Sequence, residues 1–136
     1  MIFSKKSNDK NTDLIKVAAL LIHAAKIDEN YSDQEEKIIN KTLLELGAKR
    51  ENLENIMINA KKIEDNANQI LDFTREIKNM NQENKIKIIK SLWQIIYSNQ
   101  EADIYETGLM RRLAGLLYID NKTMGDIKER IKKENK

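Results

Sequence analysis

The feature that most constrains this chain is that it repeats itself. Shifted by 71 positions, two stretches fall into register without a gap: Leu21 meets Leu92, Ile22 meets Trp93, Ala24 meets Ile95, Ser32 meets Asp103 and Glu35 meets Glu106. The match continues through Ile38 and Ile39 on Leu109 and Met110, Leu46 on Leu117, Leu53 on Met124 and Ile56 on Ile127. Each copy reads as helix, acidic loop, helix, short turn, helix. Amphipathic helices resemble one another in general, but matching caps and loop length favour a duplication. The expected fold is all-α: two related three-helix units with an extra helix between them, a duplicated bundle of about seven helices around one core.

The helical reading rests on spacing. Leu14, Val17, Ala18, Leu21 and Ala25 recur at three and four, with Thr12 or Asp13 as a start cap. A second helix is expected from Asp33 to Leu46, closed by Gly47 in a left-handed turn. Leu53, Ile56, Met57, Ala60 and Ile63 mark a third, followed by a polar connector over Glu64 to Asn68. Ile70 to Met80 carries a fourth, and Asn81 caps a fifth with Ile86, Ile89, Leu92, Trp93 and Ile96 inward. The sixth spans Asp103 to Leu117, and the seventh starts at Asp120. The chain contains no proline, so nothing covalent interrupts these helices. At 136 residues it is one domain's length. Residues 1–12 read as a flexible leading segment, and 13–133 as a single domain whose copies run over 14–60 and 85–131.

Composition removes several functions. There is no cysteine, hence no disulfide, thiolate zinc site or cysteine nucleophile. One histidine cannot build a multi-histidine metal cage, and no serine partners it in an evident triad. No glycine-rich phosphate loop is present. The net charge is only +2, and the basic end from Lys128 to Lys136 is interspersed with glutamates, which argues against nucleic acid. The most apolar run, Val17 to Ala25, falls far short of the roughly 20 residues of a membrane span. These features read as a non-enzymatic protein of the cell interior, the cytoplasm.

The chemistry of such a chain belongs to its two acidic loops. On a wheel of about 100° per residue from Ile38, Thr42 falls near 40°, Glu35 near 60°, Leu46 near 80° and Ile39 near 100°. The same count from Leu109 puts Glu106 at the equivalent angle. Both glutamates therefore aim at the core from the first turn of their helices, where a carboxylate needs a partner. Two readings stand. Ser32 and Glu35, and Asp103 and Glu106, have capping-box spacing, which satisfies both acids without a ligand and makes the chain a purely structural interaction module. Alternatively Asp28 and Glu35, seven apart across a bend, with Asp33 and a backbone carbonyl completing the shell, offer oxygen ligands to Ca²⁺ or Mg²⁺.

At these residues the chain resembles the tellurite-resistance TerB-like family. The likeness lies in Leu92-Trp93-Gln94-Ile95-Ile96-Tyr97, Asp103-Ile104-Tyr105-Glu106 and Leu109-Met110-Arg111-Arg112-Leu113-Ala114, and more weakly in Ala24-Ala25-Lys26-Ile27-Asp28 through Glu35. It spans residues 13 to 130. The resemblance implies an all-helical duplicated fold and a non-enzymatic role in tellurite resistance or related stress responses. It also implies metal at acidic loop residues, here Asp28, Glu35 and Glu106 with Asp103 beside them. The chain departs from the family pattern: Glu29 stands where a glycine is expected, and Asn99 and Gln100 where Asp-Gly is expected. The first loop is accordingly the better expected site for a divalent cation.

The remaining residues read as structure. His23 is expected to be a partly buried structural histidine, and Trp93 a core residue. Gly108 and Gly115 share a helix face, which suggests either a close backbone approach or a docking groove.

Overall fold

The structure, a computed structural model, describes residues 2–26, 33–66, 71–98 and 104–134. Seven α-helices make up the described chain: α1 (Ile2–Lys26), α2 (Asp33–Glu45), α3 (Leu53–Asn66), α4 (Leu71–Ile77), α5 (Gln82–Tyr97), α6 (Ile104–Leu116) and α7 (Asn121–Glu134). A single 3-10 turn, Arg50–Asn52, leads into α3. No strand occurs among the described residues.

Two helices form the centre, and the repeat pairs them. Val17, Ala18, Ala19, Leu20 and Leu21 of α1 are fully enclosed, as are Ile88, Ile89, Leu92 and Ile96 of α5. A helix segment apolar on every side must be surrounded. α1 is, packing on α2, α3, α4 and α5; α5 packs on α1, α2 and α7. Each enclosed Leu or Ile contributes about 1.5–3 kcal/mol relative to exposure, so these two helices hold most of the core energy. The α1–α3 contact of the first copy reappears as the α5–α7 contact of the second. The extra helix, α4, anchors on α1 through Phe73 and Ile77, both buried.

The copies also end their second helices in the same way. Gly47, at φ 106°, donates to Leu44 O and Ala48 N donates to Leu43 O at 2.9 Å. Seventy-one positions on, Tyr118 at φ 59° donates to Gly115 O and Ile119 N to Ala114 O at 2.9 Å. Both are the paired-bond closure of a left-handed helix end. One copy uses glycine there and the other a tyrosine, 71% exposed.

Three boundaries differ from the sequence expectation. α1 begins at Ile2, so Asp13 lies inside a helix instead of capping it. Residues 2–12 contain neither glycine nor proline, and extending a nucleated helix costs little. α3 runs on to Asn66 through the expected connector, because Glu64 and Asp65 are held by Lys26 of α1. α4 is only seven residues long. Asn81 caps α5 as expected, accepting from Asn84 N at 2.8 Å. No helix among the described residues is long and apolar enough to cross a membrane.

Candidate functional site

The first acidic segment of the sequence lies between α1 and α2 and leads directly into the start of α2 at Asp33. Glu35 sits in the first turn of α2 and is 1% exposed, on the same buried face as Ile39, Thr42 and Leu43. The wheel placed it there. Asp33 and Glu36 share that turn, so three carboxylates gather at the positive end of the helix. Burial makes Glu35 costly as an anion unless it is bonded, and it does have a partner within the chain. Thr42 continues the face toward α5: its hydroxyl donates to Ile38 O at 2.8 Å and also meets the Ser91 hydroxyl.

Of the other sequence-derived ligands, Asp28 and Asp103 lie outside the described residues, as does the side chain of Glu106 on α6. Asp28 and Glu35 are therefore not seen side by side. Among the described residues, no group of three or more histidine or acidic side chains is arranged to hold a metal ion. Glu35 fits a hard cation in ligand type, as one enclosed carboxylate at the edge of the bend.

A polar cluster that spacing did not reveal closes the end of α1. His23 Nδ1 lies 3.2 Å from Glu64 Oε2, and the Lys26 amine donates to Glu64 Oε1 at 2.6 Å and to Asp65 Oδ1 at 3.0 Å. The hydrogen bonds it donates to Glu64, then Asp65, raise the Lys26 pKa above its ordinary value. His23 is half-buried beside the Phe73 ring, which agrees with a structural role. Lys61 of α3 reaches Glu36 of α2 at 3.5 Å. Together these pairs bind α1, α2 and α3 to one another around the bend. The paired residues are 25 to 41 apart in the chain, so no local motif announces them.

The second copy is built differently. Trp93 of α5 is 3% exposed and stacks on Tyr97 at 5.9 Å. Burial, then Glu129, raises the Tyr97 pKa. Lys85 is buried as well: its amine donates to Leu117 O at 3.0 Å and lies over the Tyr118 ring at 5.7 Å. The repeat carried this signal, since Lys85 occupies the place of buried Leu14. Gly108 and Gly115 are exposed, and a Cβ added to either meets no described atom within 4 Å. The close backbone approach suggested by their spacing is therefore absent.

Comparison with known families settles what this architecture belongs to. Residues 14–129 match the family model described as "Tellurite resistance protein TerB". The chain belongs to the TerB family. The match covers both copies of the repeat, and the helical bundle is the TerB domain. The resemblance seen in the Leu92-Trp93 helix and the Arg111-Arg112-Leu113-Ala114 helix thus extends over nearly the whole chain. No curated protein and no solved structure matches this TerB chain.

Proposed function

We propose that this TerB-family chain acts by binding and not by catalysis, in the cytoplasm, within tellurite resistance or a related stress response. It holds a divalent cation at the first acidic bend and contacts partner proteins. The observation that carries the cation reading is Glu35, a carboxylate 1% exposed in the first turn of α2, on the side where the chain arrives from Asp28. A hard cation with oxygen ligands suits such a position. The absence of catalysis is supported by His23, whose hydrogen bond goes to Glu64, a carboxylate with no nucleophile joined to the pair among the described residues.

A second reading keeps the same residues as structure. Asp33, Glu35 and Glu36 crowd one helix start, which is the placement the helix dipole favours without any ion. Calorimetric titration of chelator-treated protein with Ca²⁺, Mg²⁺, Mn²⁺ and Zn²⁺ separates the two. Heat of binding and a raised melting temperature with one ion support the cation site, and Asp28→Asn then weakens it more than Asp103→Asn. No heat and no thermal shift with any of the four ions leaves the structural module. The reverse order of the two variants refutes the first bend as the stronger site.

A further inference from the structure

A pocket of about 150 Å³ opens on the second copy, between α5, α6 and α7, far along the chain from the first bend. Its walls are Trp93, Met110, Ala114, Met124 and Gly125, with Arg111, Lys128 and Asn121 at the rim. Three observations set it apart from ordinary packing. The Trp93 indole Nε1 is buried and has no hydrogen-bond partner among the described residues, although a buried donor without an acceptor is costly. Gly125 has open space where a side chain would stand, and its counterpart in the first copy is Glu54. Two cations flank the apolar floor. Lys128 Nζ lies 5.5 Å from the centre of the Trp93 ring, and neither Lys128 nor Arg111 forms an ion pair among the described residues.

The repeat sharpens the point. In the first copy the position of Trp93 is Ile22, which is 2% exposed and has no polar side-chain atom. The fold therefore does not require an N–H here. The volume suits one aliphatic side chain, and the pocket is open to the surface, so an extended chain can lie across it.

We propose that this pocket docks an acidic segment of a partner protein. One aliphatic side chain enters between Met110, Ala114, Met124 and Gly125. Flanking carboxylates of the segment meet Arg111 and Lys128. This deepens the partner-contact part of the proposed function and is independent of the cation part.

Trp93 is the only tryptophan, so its fluorescence and its single indole N–H resonance report on this pocket alone. The probe is a capped pentapeptide with one leucine between two pairs of glutamates. It is expected to shift the indole resonance saturably, with affinity falling as salt is added. Gly125→Leu fills the pocket and should weaken binding at least tenfold. It leaves the fold intact, because leucine is the better helix former and the space is open. Arg111→Gln with Lys128→Gln should weaken binding at least tenfold and remove the salt dependence.

Equal binding of the all-glutamine peptide, or full binding by Gly125→Leu, overturns the proposal. So does free 4-methylpentanoate binding as tightly as the peptide, which would make this a small-acid pocket. A pull-down from native cells that retains the same proteins with Gly125→Leu as with the unaltered chain keeps partner contact and overturns this site.

Discussion

The same substitution, glycine to alanine, should change sign between two places in this bundle. Gly47 holds φ 106° to let Ala48 N reach Leu43 O, whereas Gly108 and Gly125 lie within helices with nothing near an added Cβ. An L-residue in the left-handed region costs roughly 1–2 kcal/mol. Alanine also restricts the unfolded chain, which returns about 0.4–1 kcal/mol. Gly47→Ala should therefore destabilise by about 1 kcal/mol, close to 4 °C in melting temperature for a domain of this size. Gly108→Ala and Gly125→Ala should each stabilise by about 0.5–1 kcal/mol, since alanine is the better helix former. Tyr118→Gly is the informative third arm. It relieves a left-handed tyrosine at φ 59°, but it frees the unfolded chain and removes the ring beneath the Lys85 amine, so its net effect should be within about 1 kcal/mol of zero. Urea unfolding followed by circular dichroism measures all four with a common slope. Gly47→Ala as stable as the unaltered protein, or Gly108→Ala as damaging as Gly47→Ala, would refute the assignment of the left-handed closure to Gly47.

Other consequences can be checked with the same assay. Lys85→Met removes the donor to Leu117 O and leaves that carbonyl unsatisfied, so it should cost about 1–3 kcal/mol, while Lys87→Met, on the exposed side, should cost little. Phe73→Ala empties the anchor of α4 and should cost about 3–5 kcal/mol, with faster hydrogen exchange confined first to α4. Asp120 has its pKa lowered by the Thr123 side chain, then by backbone N–H bonds at the start of α7. Its contribution is thus present above the ordinary carboxylate pKa and lost as pH falls through the lower folded value. Asp120→Asn should be less stable than the unaltered protein at neutral pH, and the gap should narrow in acid.

Much of the fold was legible because its causes are local. Apolar spacing located all seven helices, Asn81 and Gly47 marked a start and a stop, and the wheel placed Glu35 on the buried face of α2. The limits of helices α1 and α3 were not legible, since one depends on the lack of any stop signal and the other on ion pairs from Lys26. The pocket at Trp93 was hidden for a related reason. As the partner of Ile22 in the repeat, Trp93 reads as core, and it is core; only its unpartnered N–H and the missing side chain at Gly125 distinguish it. His23 was legible as structural, but its acceptor was not, because Glu64 is brought to it by the packing of α3 on α1.

The duplicated frame also explains how the two copies bury charges of opposite sign. Glu35 is enclosed at the N-terminal turn of α2, where backbone N–H groups carry partial positive charge. Lys85 is enclosed with its amine on Leu117 O, just past the end of α6, where the carbonyls carry partial negative charge. α2 and α6 are the same helix of the repeat, and among the described side chains Glu35 lies at its start in one copy and Lys85 at its end in the other. Each buried charge sits where the helix dipole lowers the cost of removing it from water. In the second copy the described cations stand beside Trp93, as Lys128, and at the far end of α6, as Lys85. A shift of 71 residues thus relates the folds of the two halves, while the departures from it, Leu14 to Lys85, Ile22 to Trp93 and Glu54 to Gly125, mark where their charge and packing differ.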